Sequence, residues 1–220
     1  MPNVFYATQM DILVQKSGAT PLYFVDDFGD NLISSRRREI SNHVPFLGSL
    51  IFRPEWTEII LSDVYDAAQG FLSMDVTAGQ EGHLRADSNL AYGTWVWNAQ
   101  DEVVPPYRNH VYFQPIFVGL GNYYYASLGV WNNNDASQFG KRVGGLWTEN
   151  MIDATWAPDN DWTVVKLTRA ANNTWEMFID GVSQGTVIDD KWTTSSYVSV
   201  WLCNYGTGKK VHADNIALSR

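Results

Sequence analysis

The sequence predicts an all-β sandwich of two antiparallel sheets, and three observations carry that reading. Short segments alternate apolar and polar residues with period two, while helical periodicity is nearly absent. Clusters of Gly, Asn, Asp and Pro separate these segments, as turns between strands require. The length agrees, because 220 residues lie within the roughly 200–250 that one β-sandwich commonly takes.

In chain order the first predicted strands are Leu22–Phe28, Phe46–Phe52, Phe71–Val76, Ala91–Trp97 and Val111–Val118. Tyr123–Trp131, Trp162–Arg169, Trp175–Ile179, Val182–Val187, Tyr197–Cys203 and Val211–Leu218 follow. They are rich in the β-branched and aromatic residues that suit a pleated, half-buried surface. Turns are expected at Trp131-Asn132-Asn133-Asn134-Asp135 and at Ala157-Pro158-Asp159-Asn160-Asp161. Asp180-Gly181, set between two strand-like runs, supplies the positive φ angles of a type I′ hairpin turn. Ala171-Asn172-Asn173-Thr174 reads as a second tight turn, so residues 162–169, 174–179 and 182–187 form a three-stranded meander.

Side chains alternate across a strand, so parity states which residues share a face. Val198, Val200 and Leu202 form one face of their strand, with Tyr197, Ser199, Trp201 and Cys203 on the other. Tyr124, Ala126, Leu128 and Val130 make an apolar stripe opposite Tyr123, Tyr125, Ser127 and Trp131. Trp95 and Trp97 share a face, and so do His110 and Gln114. A solvated second face would carry Lys, Glu and Thr; aromatics mixed with small polar groups point to a binding surface instead.

Composition narrows the partners. Fifteen Lys and Arg stand against twenty-four Asp and Glu, a net charge of −9 that repels phosphate backbones and anionic lipid head groups. Neither nucleic acid nor a membrane is an expected partner, and no apolar run approaches the ~20 residues of a spanning helix. The single cysteine, Cys203, forms no internal disulfide. Met1-Pro2-Asn3-Val4-Phe5 has neither the basic nor the apolar region of a secretory signal. The expected location is extracellular or on a virion surface.

The C-terminal half resembles a known superfamily. Asp161-Trp162-Thr163-Val164-Val165-Lys166-Leu167-Thr168-Arg169, a turn, and Trp175-Glu176-Met177-Phe178-Ile179-Asp180-Gly181-Val182 are similar to the motifs of concanavalin-A-like, laminin-G-like jelly rolls. Ala213-Asp214-Asn215-Ile216-Ala217-Leu218 resembles their last strand, and Phe24-Val25-Asp26-Asp27-Phe28 their opening strand. Gly82-His83-Leu84-Arg85-Ala86 followed by Tyr92-Gly93-Thr94-Trp95 is similar to an intervening segment. The resemblance covers 22–220 and implies a jelly roll with one convex and one concave sheet, ligands occupying the concave face. It also implies a structural calcium ion between the opening and last strands, held by Asp26 or Asp27 and Asp214. Carboxylates suit that hard cation, although the same aspartates equally cap turns.

The catalytic motifs of this superfamily are not matched. Its retaining glycosidases carry Glu-x-Asp-x-x-Glu on one strand, so that alternation aims the carboxylates into the cleft. No such spacing occurs; Glu55-Trp56-Thr57-Glu58 and Asp63-Val64-Tyr65-Asp66 have the wrong parity and are read as loops. Arg37-Arg38-Glu39-Ile40 faintly resembles an alginate-lyase strand, but the partner motifs are missing, and Arg36, Arg37 and Arg38 read as a solvated patch. His43, His83, His110 and His212 are too scattered for a zinc motif.

The sequence therefore predicts a non-catalytic, lectin-like module that recognises an oligo- or polysaccharide. Trp95, Trp97, Tyr123, Tyr125, Trp131 and Trp201 would stack on sugar faces, with His110 and Gln114 as polar partners. Two other classes stay open: a virion coat, decoration or fibre protein, and a polysaccharide hydrolase or lyase. Residues 1–21 form an expected arm or extra strand. Val4, Phe5, Tyr6, Met10, Ile12, Leu13 and Val14 give it too much apolar surface to leave in water. It is the expected contact for a homo-oligomer or larger assembly.

Overall fold

The computed structural model describes residues 22–26, 56–60, 72–76, 80–101, 109–131, 134–135, 137–154, 161–204 and 209–219. Among them lie fifteen strands and no helix. In chain order these are β1 (Leu22–Asp26), β2 (Trp56–Ile60), β3 (Leu72–Val76), β4 (Gln80–Asp87) and β5 (Gly93–Asp101). Next come β6 (Asn109–Gly119), β7 (Asn122–Trp131), β8 (Asn134–Asp135), β9 (Gln138–Val143) and β10 (Leu146–Asp153). The last five are β11 (Thr163–Arg169), β12 (Thr174–Ile179), β13 (Val182–Ile188), β14 (Tyr197–Asn204) and β15 (Lys209–Ser219).

They build two sheets. The seven-stranded sheet runs β1-β15-β5-β11-β12-β13, with β3 also on β15. The eight-stranded sheet runs β10-β9-β7-β6-β14-β4-β2, with β8 on β7. Every pairing is antiparallel. The meander β11-β12-β13 forms as its turns dictate. Asp180 and Gly181 take φ of 48° and 81°, both positive as a type I′ turn demands, and Asn173 takes 65°. β7 folds back onto β8 with Trp131 opposite Asn134, at the predicted Asn-rich turn.

Alternation sets the core. Tyr124, Ala126 and Leu128 of β7 and Val198, Val200 and Leu202 of β14 all turn inward from the eight-stranded sheet. They meet Trp95, Trp97, Val165, Leu167, Trp175 and Met177 from the other sheet. Stacking of Trp97 on Phe113 (4.3 Å) and of Trp95 on Trp175 (5.5 Å) fills the centre of the sandwich.

A polar clamp closes one flank of the core. Arg169 on β11, buried, donates to the carbonyls of Ala91 (3.1 Å) and Asp189 (3.1 Å) and to Asn173 Oδ1 (3.0 Å). Its guanidinium also lies over the rings of Tyr92 and Trp175. The Asp189 carboxylate accepts from the Tyr124 hydroxyl, from Lys141 Nζ and from the Lys191 N–H. Burial alone would raise the Asp189 carboxyl; these hydrogen bonds outweigh it and hold the group below its ordinary value. Tyr124 is pushed above the usual phenol value by burial and by the adjoining carboxylate. Groups of both sheets thus meet at Asp189.

Several readings of the sequence need correction. Trp56–Ile60 is a strand paired with β4, not a loop. β9 and β10 went unpredicted because Gln138–Val143 and Leu146–Asp153 alternate weakly; they add at the edge of the sheet, where ladder hydrogen bonds from β7 to β9 and from β9 to β10 compensate for polar composition. The predicted strand Phe46–Phe52, the Arg36–Arg38 run, Asp27 and the arm of residues 1–21 lie outside the described residues.

Candidate functional site

The outer face of the eight-stranded sheet carries a second cluster, distinct from the core: Phe117, Tyr123 and Tyr125, with Tyr112 and Tyr197 packed against them. Register explains it. Tyr197 of β14 lies opposite Phe117 of β6, which lies opposite Tyr123 of β7, which lies opposite Arg142 of β9 and then Trp147 of β10. A parallel row sets His83 of β4 opposite Trp201, Trp201 opposite Tyr112, and Tyr112 opposite Ser127. Along the second row the Trp201 and Tyr112 rings stack at 4.8 Å, and Tyr112 meets Tyr125 at 5.8 Å.

Trp147 closes the row. Its indole packs edge-on against Tyr125 at 5.0 Å and runs nearly parallel to Trp201 at 6.4 Å, with 19° between planes. β10 and β14 are four inter-strand steps apart, about 19 Å on a flat sheet. The two indoles meet because the sheet curls toward this side, so the outer face is concave.

A buried polar constellation sits among the rings. Gln114 Oε1 lies 2.9 Å from His83 Nε2, and Ser199 Oγ lies 2.9 Å from the same nitrogen while donating to Gln114 Oε1. An amide oxygen has no hydrogen, so His83 Nε2 is the donor to it. Burial, and then the charge of Arg85, drop the His83 pKa to about 4; the Gln114 hydrogen bond opposes them only partly. His83 is neutral at physiological pH. The Gln114 amide nitrogen is buried with no acceptor among the described residues.

No family model and no curated protein matches the sequence. Solved structures do match the fold. A carbohydrate-binding module, CBM66 from Bacillus subtilis, aligns over 74% of this chain and 95% of its own length, with TM-score 0.51 and 12% identity. A Bacillus licheniformis β-glucanase aligns over 92% and 99% with TM-score 0.58 and 12% identity. The Emp47p carbohydrate recognition domain covers 91% and 97%, with TM-score 0.57 and 10% identity. The fold is the concanavalin-A-like jelly roll.

Within this jelly roll the predicted site residues divide. Tyr123, Tyr125, His110, Gln114 and Trp201 occupy strands of the concave sheet, and parity sorted them correctly onto the face away from the core. Tyr123, Tyr125, His110 and Gln114 are nevertheless buried, so the floor of the face is filled by its own side chains. Trp201 and Tyr112 are half-buried and Trp147 is exposed, and these rings reach solvent. Trp95 and Trp97 do not join them. At 0% and 1% exposure they belong to the inter-sheet core, because β5 lies at the centre of the other sheet and its aromatic side faces Phe113. Trp131 belongs to β7, but its side chain lies outside the described residues, as do those of Asp26 and Asp214. The ladder between β1 and β15 sets Asp26 opposite Ile216, two residues from Asp214.

The sequence reading missed His83, Tyr112, Ser199 and Trp147 as site residues. Ser199 and Tyr112 had the parity of Trp201 and Gln114 as their signal. Trp147 had none, since its strand was not recognised.

Proposed function

We propose that this chain is a non-catalytic, lectin-like module that holds an oligo- or polysaccharide on the concave face of the jelly roll. The observation that carries the reading is the aromatic row Trp201–Tyr112–Tyr125–Trp147, three of whose rings reach solvent. Flat rings stack on the apolar faces of sugars, and adjoining polar groups take up hydroxyls. Structural neighbours described as carbohydrate-binding or carbohydrate-recognition domains support it. The lack of Glu-x-Asp-x-x-Glu in the sequence favours binding over turnover.

Affinity electrophoresis of the purified chain in gels cast with a panel of polysaccharides tests this. At least one polysaccharide should retard it, and Trp201→Ala should abolish the retardation while the far-UV spectrum stays unchanged. No retardation across the panel, or release of new reducing ends from a retarding polysaccharide, would overturn the binding-module reading.

A further inference from the structure

We infer that the concave face selects saccharides bearing anionic groups, carboxylates or sulfate esters, and that Arg142 and Arg85 receive them. The inference rests on the saccharide-binding role proposed above and specifies its ligand. In a chain with twenty-four acidic and fifteen basic residues, a cation has ample opportunity to find a carboxylate. Lys141 does so, pairing with Asp189. Arg169 gives its donors to backbone carbonyls and Asn173. Arg142 spends only part of its donor set in this way, and Arg85 is held by a ring.

Arg142 donates from Nε to the Gly145 carbonyl (3.0 Å) and from Nη1 to the Tyr123 hydroxyl (3.3 Å), while its Cζ lies 4.8 Å from the centre of a Trp147 ring. Arg85 lies over the Tyr197 ring at 4.2 Å. Among the described residues neither guanidinium has a carboxylate partner. Asp87, exposed and opposite Tyr197, is the acid of that end of the face among the described residues, and no ion pair joins it to Arg85. Stacking covers the flat side of a guanidinium and leaves its in-plane N–H groups, which match a carboxylate or sulfate two oxygens at a time. The rings thus position both arginines and leave the Arg85 donors and the Arg142 Nη2 group to read an anion.

The placement also fixes the kind of ligand. Arg85 stacks on Tyr197 and Arg142 bonds to Tyr123, the two ends of the row Tyr197–Phe117–Tyr123. Groups that reach both arginines therefore sit on different sugar units, as in an acidic oligosaccharide. His83 is neutral, so among the described residues the positive charge of the face resides on the arginines. A neutral sugar covering them would strip water from a guanidinium and return no charge, which disfavours it.

Calorimetric titration with three matched pairs of probes tests the inference: oligogalacturonate against its methyl ester, dextran sulfate against dextran, and sialyllactose against lactose. At least one anionic member should bind tenfold or more tightly than its neutral counterpart. Arg142→Gln should remove most of that preference, and Arg85→Gln should reduce it. Melting curves identify any variant that fails to fold, and Arg142→Lys, which keeps charge but loses the fork, should retain part of the preference. The pair that responds distinguishes carboxylate from sulfate. Equal binding within every pair, or a preference untouched by both Gln variants, overturns the inference and leaves saccharide binding standing. Loss of binding to every saccharide overturns the binding role itself.

Discussion

The indole of Trp147 lies 6.4 Å from that of Trp201, although their strands stand four positions apart in one sheet. The contact measures how far the eight-stranded sheet curls and makes Trp147 a wall of the concave face. At 39% exposure it is not a core residue. Trp147→Ala should leave the melting temperature within a few degrees of the parent but weaken saccharide binding about tenfold, as loss of an aromatic anchor does. Tryptophan fluorescence titrated with a bound polysaccharide would check both; unchanged affinity would remove Trp147 from the site.

Burial of His83 should make the fold acid-sensitive. Its pKa is about 4 in the folded chain against 6.5 ordinarily, so the unfolded chain binds the proton first as pH falls. The stability from keeping His83 neutral is complete above pH 6.5 and is lost progressively between 6.5 and 4. The total is on the order of 3 kcal/mol for this 2%-exposed group. His83→Gln does not titrate, so its urea midpoint should fall less over that interval than the parent's. Parallel declines would show that His83 is not the titrating group.

Gly140 makes room for the floor of the site. It lies opposite Tyr125, and a Cβ there would come within 2.6 Å of the Tyr125 hydroxyl and of the Thr148 carbonyl oxygen. The Tyr125 ring and the β10 backbone cannot both yield. Gly140→Ala should cost about 1–3 kcal/mol, the range of overpacked sites, and should weaken saccharide binding by displacing Tyr125. A crystal structure of the variant with Tyr125 unmoved would contradict this.

The Arg169 clamp should not tolerate lysine. Three of its contacts need the planar, multi-donor guanidinium, and hydrogen bonds from charged groups are worth about 1.5–3 kcal/mol each. Arg169→Lys should therefore lower stability by about 3 kcal/mol or more, seen in urea unfolding with the m value preserved. A loss below 1 kcal/mol would mean that the clamp matters little.

The implied calcium ion has a direct test. An ion shared by Asp26 or Asp27 and Asp214 binds only the folded chain, so excess chelator should lower the melting temperature and added calcium restore it. Identical melting curves would assign these aspartates to turn capping.

Much of this was legible in the sequence, for local reasons. Asp180-Gly181 specifies its turn by itself because both residues take positive φ. Parity placed Tyr123, Tyr125, Ser199 and Trp201 on one side of their strands, since a period of two is a property of the extended backbone alone. From these pieces the all-β class and the β11-β12-β13 meander follow directly. The sequence did not decide whether an aromatic side of a strand faces the core or the concave face. Trp95 and Trp97 turned to the core, where they pack on Trp175 and Phe113, while Tyr123 and Tyr125 of β7 turned to the concave face. Nor did it place His83 beside Gln114 and Ser199, 31 and 116 residues away. Those neighbours, and the approach of Trp147 to Trp201, come from ladder register and sheet curvature, which depend on how all the strands pair and not on any one segment.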